Sequence, residues 1–205
     1  VTDDRVPPAP AGRVVEQRGL FADELEVGAR YRHRPGRTAT EADNVLFSSL
    51  TMNNQALHLD AAFAATQPFG QRLMNSMWTL STMVGASVAQ LTQGTLVAQI
   101  ALTDVSFPAP LFAGDTLTVE TEVVSVRPSA SRPGQAVVTL AHTGTSQSGA
   151  VVGRATRVAL MWRSADAAAT ASTRSAGSAG SAASAGSAGS ASSASAAPAD
   201  AEVSS

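Results

Sequence analysis

Leu73-Met74-Asn75-Ser76-Met77-Trp78-Thr79-Leu80-Ser81-Thr82-Met83-Val84-Gly85-Ala86-Ser87-Val88-Ala89-Gln90-Leu91 is the most apolar run of the chain. Leu73, Met77, Leu80, Val84, Val88 and Leu91 recur at helical spacing, and Met74, Trp78 and Met83 make the other sides apolar as well. The run reads as one long helix enclosed on most sides. Asn75, Ser76, Thr79, Ser81, Thr82, Ser87 and Gln90 interrupt it, which suits a buried helix rather than a bilayer span. Gly94 stands where such a helix ends.

After this helix the periodicity changes. Thr95–Asp104, Asp115–Arg127, Gly134–Thr145 and Ala150–Arg163 are β-rich runs separated by Pro108-Ala109-Pro110, by Pro128 to Pro133 and by Ser146–Gly149. From Thr116 to Val123 apolar and polar residues alternate, as in a sheet with one wet face. Before the helix, Gly28–Pro35 reads as a first strand closed by Pro35-Gly36. Thr40-Glu41-Ala42-Asp43 sets a capping hydroxyl three residues ahead of a carboxylate and starts a helix whose apolar face is Val45, Leu46, Ser49 and Leu50. His58 follows in a loop, and Asp60–Ala65 offers a short helical turn. The order implies an α+β layer, an antiparallel sheet wrapped around a long central helix.

The ends of the chain differ from its middle. From about Ser164 to the end of the 205 residues the sequence is built of Ala, Ser and Gly, with too little apolar surface to offset the entropy of ordering it, so residues 164–205 are expected to be a disordered tail. Val6-Pro7-Pro8-Ala9-Pro10 makes residues 1–18 an extended arm, leaving residues 19–163 as one domain. Every basic side chain apart from histidine is Arg, the net charge is −2, and no basic block follows a phosphate backbone, which argues against nucleic-acid binding. There is no cysteine, which removes disulfides, thiolate nucleophiles and thiolate metal sites together. Residues 1–20 show no apolar core flanked by basic residues, so the expectation is a soluble, cytoplasmic chain without a membrane partner.

Chemistry concentrates in Phe47-Ser48-Ser49-Leu50-Thr51-Met52-Asn53-Asn54-Gln55-Ala56-Leu57-His58, continued by Leu59-Asp60-Ala61-Ala62-Phe63-Ala64. The stretch resembles the active-site signature of MaoC-like (R)-specific enoyl-CoA hydratases and dehydratases: an aromatic, two residues, Leu, Ser/Thr, Gly-Asp, any residue, Asn-Pro, an aliphatic, His, then five residues to a small one. Phe47, Leu50, Thr51, Leu57, His58 and Ala64 keep that register, whereas Met52 stands for the Gly, Asn53 for the catalytic Asp, Gln55 for the Asn and Ala56 for the Pro. Two further segments resemble the family. Phe69 to Met77 is similar to the segment leading into the central helix, with Asn75 and Ser76 where the family has His-Gly and uses the glycine N–H to hold the thioester oxygen. Phe107 to Leu117 is similar to a turn in which Gly114-Asp115-Thr116-Leu117 opens a strand. The resemblance implies the hotdog fold, a CoA-thioester substrate and no cofactor.

Hydrating an enoyl thioester needs a base for water, an acid for the α-carbon and donors for the carbonyl oxygen as enolate charge develops. The resemblance makes His58 the base, imidazole being the side chain that takes up and releases protons near neutral pH. Asn53 can orient water or a substrate oxygen, but an amide does not exchange protons at neutral pH. Three readings stay open: His58 moves the proton both ways, Asp43 or Asp60 supplies the acid, or hydratase activity is lost. The oxyanion site is expected from the backbone N–H groups of Asn75 and Ser76 at the start of the central helix. Arg72 and Arg37 are candidates for a substrate carboxylate or a CoA phosphate. His33 and His142 fall in strands and, without cysteine, no metal site is expected.

The runs Leu50-Thr51-Met52-Asn53 and Leu73-Met74-Asn75-Ser76 resemble a divergent branch acting on carboxylated short enoyl-CoAs, itaconyl-CoA or mesaconyl-CoA hydrated to citramalyl-CoA. The alternatives are a thioesterase on the same fold and a non-catalytic acyl-CoA-binding or partner subunit. Because such a domain exposes sheet edge and flank, at least a homodimer is expected.

Overall fold

The computed structural model describes Gly12 and residues 15–173. The chain divides into two units, residues 1–168 and residues 169–205. The first unit carries strands β1 (Arg30–Thr38), β2 (Leu96–Ser106), β3 (Thr116–Pro128), β4 (Gln135–Thr145) and β5 (Val151–Trp162). They form one sheet in the order β1-β3-β4-β5-β2, and every neighbouring pair is antiparallel. Its helices are α1 (Glu41–Leu50), α2 (Ala56–Leu59), α3 (Ala61–Ala65) and α4 (Ser76–Ser87), the last prolonged by a π-helical turn, Val88–Thr92.

Alternation along the strands builds the inner face. Leu117, Val119, Thr121 and Val123 of β3 point inward, opposite Leu140, His142 and Gly144 of β4. Two apolar clusters result. Met74, Trp78 and Met83 pack with Leu111, Leu117, Val119 and Val152, while Leu91 packs with Val123, Val138, Leu140 and Met161. Gly144 and Gly153 face each other across β4 and β5 under α4. A Cβ on Gly153 would lie 2.5 Å from the Met83 sulfur, so the absence of a side chain there is what lets the helix seat on the sheet.

Between the two apolar clusters runs a polar row. The Thr121 hydroxyl lies 2.8 Å from Nε2 of His33 and 2.8 Å from Nδ1 of His142, and Nδ1 of His33 lies 3.0 Å from Oε1 of Gln90 in the π turn. His33 and His142 are therefore sheet residues, as the sequence implied, but buried ones. Arg157 is buried on the same face of β5. Desolvation, with the charge of Arg157 and then of His33 adding to it, pushes His142 down to about 4.

Four expectations change. The central helix starts at Ser76, because the Leu73 N–H donates to Leu57 O (3.2 Å) and the Met74 N–H to Leu111 O (2.9 Å), leaving residues 73–75 extended. That helix is not enclosed on most sides: Trp78, Thr79, Met83 and Ser87 are buried, but Met77 is exposed and Leu80, Val84 and Val88 are half-buried, since the sheet covers one side only. Helix α1 is inverted with respect to its apolar pattern. Val45, Leu46 and Leu50 are 42%, 61% and 75% exposed, while Asn44 and Ser48 are 1% and 0% exposed. Finally, residues 165–173 are helical where the tail was expected to begin. That stretch lacks glycine, and the Ser164 hydroxyl accepts the Ala167 N–H at 3.3 Å. Most of the expected arm, and residues 174–205 of the expected tail, lie outside the described residues.

Candidate active site

Helix α1 begins on the capping box read from the sequence: the Asp43 N–H donates to the Thr40 hydroxyl (3.1 Å) and the Thr40 N–H to Oδ2 of Asp43 (2.9 Å). Its inward face then carries Asn44 and Ser48, one turn apart. Asn44 uses its whole amide. Nδ2 donates to His58 O (3.1 Å) and to Leu73 O (2.9 Å), and Oδ1 accepts the Asn75 N–H (2.9 Å). Asn75 in turn donates from Nδ2 to Oγ of Ser48 (3.1 Å) and accepts the Met77 N–H at Oδ1 (3.0 Å), which caps α4.

His58 sits in the one-turn helix α2 rather than in a loop. Its Nδ1 lies 3.0 Å from Leu73 O. A carbonyl only accepts, so Nδ1 carries the proton and Nε2 keeps its lone pair, the arrangement a general base requires. Leu73 also lines a cleft of about 190 Å³ with Phe69, Met74, Phe107, Leu111 and Val152; its wall is polar and apolar in nearly equal parts, Ser76 and Thr79 included, and His58 is not among its lining residues. A larger hollow of about 500 Å³, over β1, β3 and β4, is lined by Arg30, Arg32, Arg34, Glu120 and Glu122 and by none of the residues around His58.

The two oxyanion donors read from the sequence reduce to one. The Asn75 N–H is taken by Asn44, whereas the Ser76 N–H, at the first position of α4, has no partner among the described residues. Asn53 is half-buried. Its N–H donates to Ser48 O (2.9 Å), and its Oδ1 accepts the Gln55 N–H at 3.4 Å. Met52, where the family has glycine, holds a φ of 55°, so the turn keeps the left-handed backbone that glycine takes freely.

The remaining candidates are engaged elsewhere. Asp43 pairs with Arg37 (2.6 Å). Partial burial opposes ionisation of Asp43, but the Thr40 hydroxyl and N–H and the Arg37 guanidinium outweigh it and hold the carboxyl below its ordinary value. Asp60 caps α3 by accepting the Phe63 N–H at 2.9 Å. Arg72 donates to the Glu41 carboxylate and, at 3.4 Å, to Leu59 O. Neither Arg72 nor Arg37 lines that cleft, and neither does any other cation among the described residues. No group of three or more His, Cys, Asp or Glu side chains among the described residues has metal-binding geometry. No described helix is long and apolar enough to cross a membrane.

Sequence reasoning missed Asn44 and Ser48. The signal was present as two polar residues four apart behind a capping box, but the more numerous apolar residues beside them drew the assignment of the inner face.

Comparison with known proteins bears on the family and the fold. The chain is 35% identical to the (R)-specific enoyl-CoA hydratase of Aeromonas caviae over 109 residues, which is 53% of this chain and 78% of that protein. It is 27% identical over 125 residues to the mesaconyl-CoA hydratase of Haloarcula marismortui, spanning 60% of this chain and only 34% of that one. A Mycobacterium tuberculosis protein described as having a double hotdog fold superposes with a TM-score of 0.65 at 25% identity, covering 72% of this chain and 46% of that chain. The sheet order and the helix packed on the sheet are those of a hotdog domain. Residues 23–145 match the MaoC like domain, and the chain belongs to that family.

Proposed function

We propose that this chain is a hydro-lyase of the hydratase and dehydratase class that adds water across the double bond of a short enoyl-CoA, with Nε2 of His58 as the base. The observation that carries the reading is the bond between Nδ1 of His58 and Leu73 O, which leaves the Nε2 lone pair free to take a proton, while Leu73 itself lines the small cleft at the start of α4. The Ser76 N–H, at the positive end of α4, is free to receive charge from the thioester oxygen. Asp43 and Asp60 are both committed to helix caps, and this favours His58 carrying the proton from water and returning it to the α-carbon, with Asn53 orienting the water. The test follows enoyl-thioester absorbance and free-thiol release together over a panel of enoyl-CoAs. Loss of absorbance without thiol supports hydration. Thiol release points to a thioesterase, and binding without either to a non-catalytic subunit.

A carboxylated acyl group is the finer reading, supported by the likeness to a mesaconyl-CoA hydratase. It requires Arg72 to exchange Glu41 for the substrate carboxylate. The lack of any described cation in the cleft lining favours an uncharged chain instead. A preference for itaconyl-CoA or mesaconyl-CoA over crotonyl-CoA, abolished by Arg72→Met, selects the first; a preference for crotonyl-CoA selects the second. We also propose a homodimer, supported by the open flank of α4 at Met77 and by the apolar outer face of α1. Light scattering that shows an active monomer contradicts it.

A further inference from the structure

We infer that Asn44 is a positioning residue that sets the proton position on His58 and selects the Ser76 N–H as the oxyanion donor; the catalytic part of this inference rests on the hydratase reading above. An imidazole can place its single neutral proton on either nitrogen, and the bond made by one nitrogen decides the state of the other. Here the deciding acceptor is a backbone carbonyl, Leu73 O, in an extended segment whose own position must be fixed. Asn44 fixes it. One Nδ2 hydrogen holds Leu73 O at 2.9 Å and the other holds the carbonyl of His58 itself at 3.1 Å, so the base and its orienting acceptor hang from one side chain.

Leu73 O then receives two donors, Asn44 Nδ2 at 2.9 Å and His58 Nδ1 at 3.0 Å, which match its two lone pairs. Oδ1 of the same amide takes the Asn75 N–H at 2.9 Å, which removes that donor from the cleft and leaves the Ser76 N–H. Asn44 is 1% exposed, so water does not compete for these bonds. An amide with both hydrogens and its oxygen spent on the base, on the base's acceptor and on the start of α4 is a device for alignment.

The test uses the full chain labelled with ¹⁵N-histidine, with His58 assigned by its loss in His58→Gln. In the parent, the ring shifts of His58 should show the proton on Nδ1. Asn44→Leu removes all three bonds at similar volume. It should move the proton toward Nε2 and lower kcat roughly 10–100-fold with KM within about twofold. Ser48→Ala, which touches only Asn75, should leave the tautomer as in the parent. If Asn44→Leu does not fold, Asn44→Asp, which keeps an acceptor for the Asn75 N–H and loses both donors, carries the same readout. A folded variant with the proton still on Nδ1 and parental kcat overturns the inference, as does an equal tautomer shift in Ser48→Ala. A parent that hydrates no enoyl-CoA while its tautomer still responds to Asn44 overturns the hydratase reading and leaves the alignment standing. A parent that hydrates with the proton on Nε2 does the reverse.

Discussion

Helices α1 and α4, the two long helices that flank α2 and α3, obey opposite rules. Helix α4 turns Trp78 and Met83, with Thr79 and Ser87, into the sheet, whereas Met77, Leu80 and Val84 of the stripe read from the sequence are exposed or half-buried. Helix α1 turns Asn44 and Ser48 inward and leaves Val45, Leu46 and Leu50 in the open. The difference lies in what each inner face must do. Under α4 there is a sheet to cover, and burying apolar area there contributes roughly 25 cal/mol per Å². Under α1 there are carbonyls and N–H groups of His58, Leu73 and Asn75, which would be orphaned against an apolar face at a cost of about 1–3 kcal/mol each. Polar burial in α1 is thus dictated by the backbone it faces.

This contrast is breakable. Met83→Ala, beneath α4, should destabilise the domain by about 2–5 kcal/mol, since Met83 is fully buried against Gly144 and Gly153. Urea unfolding measures it, and a loss under 1 kcal/mol would mean that the helix seat is plastic.

The polar row beneath α4 makes a second contrast with the cluster beneath α1, because it contains groups that titrate. Burial, Arg157 and His33 bring His142 from an ordinary 6.5 to about 4. The folded state therefore holds His142 neutral while the unfolded chain takes up a proton near 6.5, so stability is full above that pH and falls as pH drops from about 6.5 to about 4. A shift of this size corresponds to roughly 3 kcal/mol. Urea unfolding at pH 7, 5.5 and 4 should show that loss in the parent and a shallower slope in His142→Gln. Equal slopes would remove His142 from the acid response.

Smaller effects sharpen the picture at α1. Met52→Gly relieves a left-handed backbone at the end of that helix and should stabilise by about 1 kcal/mol, read as a raised urea midpoint. Leu46→Gln, on the exposed outer face, should change monomer stability by no more than about 0.5 kcal/mol. A large loss there, dependent on protein concentration, would show that a second subunit covers this face.

The same contrast explains what could be read from the sequence. Strand β3 was legible because alternation from Thr116 to Val123 reports a wet and a dry face, and β4 and β5 because β-rich runs stand between the turn residues Pro128 to Pro133 and Ser146–Gly149. The extended residues 73–75 were not, since their N–H partners, Leu57 O, Leu111 O and Asn44 Oδ1, come from far along the chain while their side chains continue a helical pattern. Asn44 and Ser48 were hidden for the reason that makes them useful: a polar inner face is legible only once the groups it satisfies are in place. Arg72 read as a substrate ligand because its pairing with Glu41 crosses 31 residues and leaves no local trace.

The central claim is that His58, held with its Nε2 lone pair open, activates water for an enoyl thioester. The most direct measurement is the loss of enoyl-thioester absorbance with crotonyl-CoA and mesaconyl-CoA, catalysed by the parent and by His58→Ala, with folding checked by circular dichroism. The account predicts turnover of at least one substrate by the parent and a fall in kcat of about 10²–10⁴-fold in a folded His58→Ala. Parental turnover in the folded variant would contradict it.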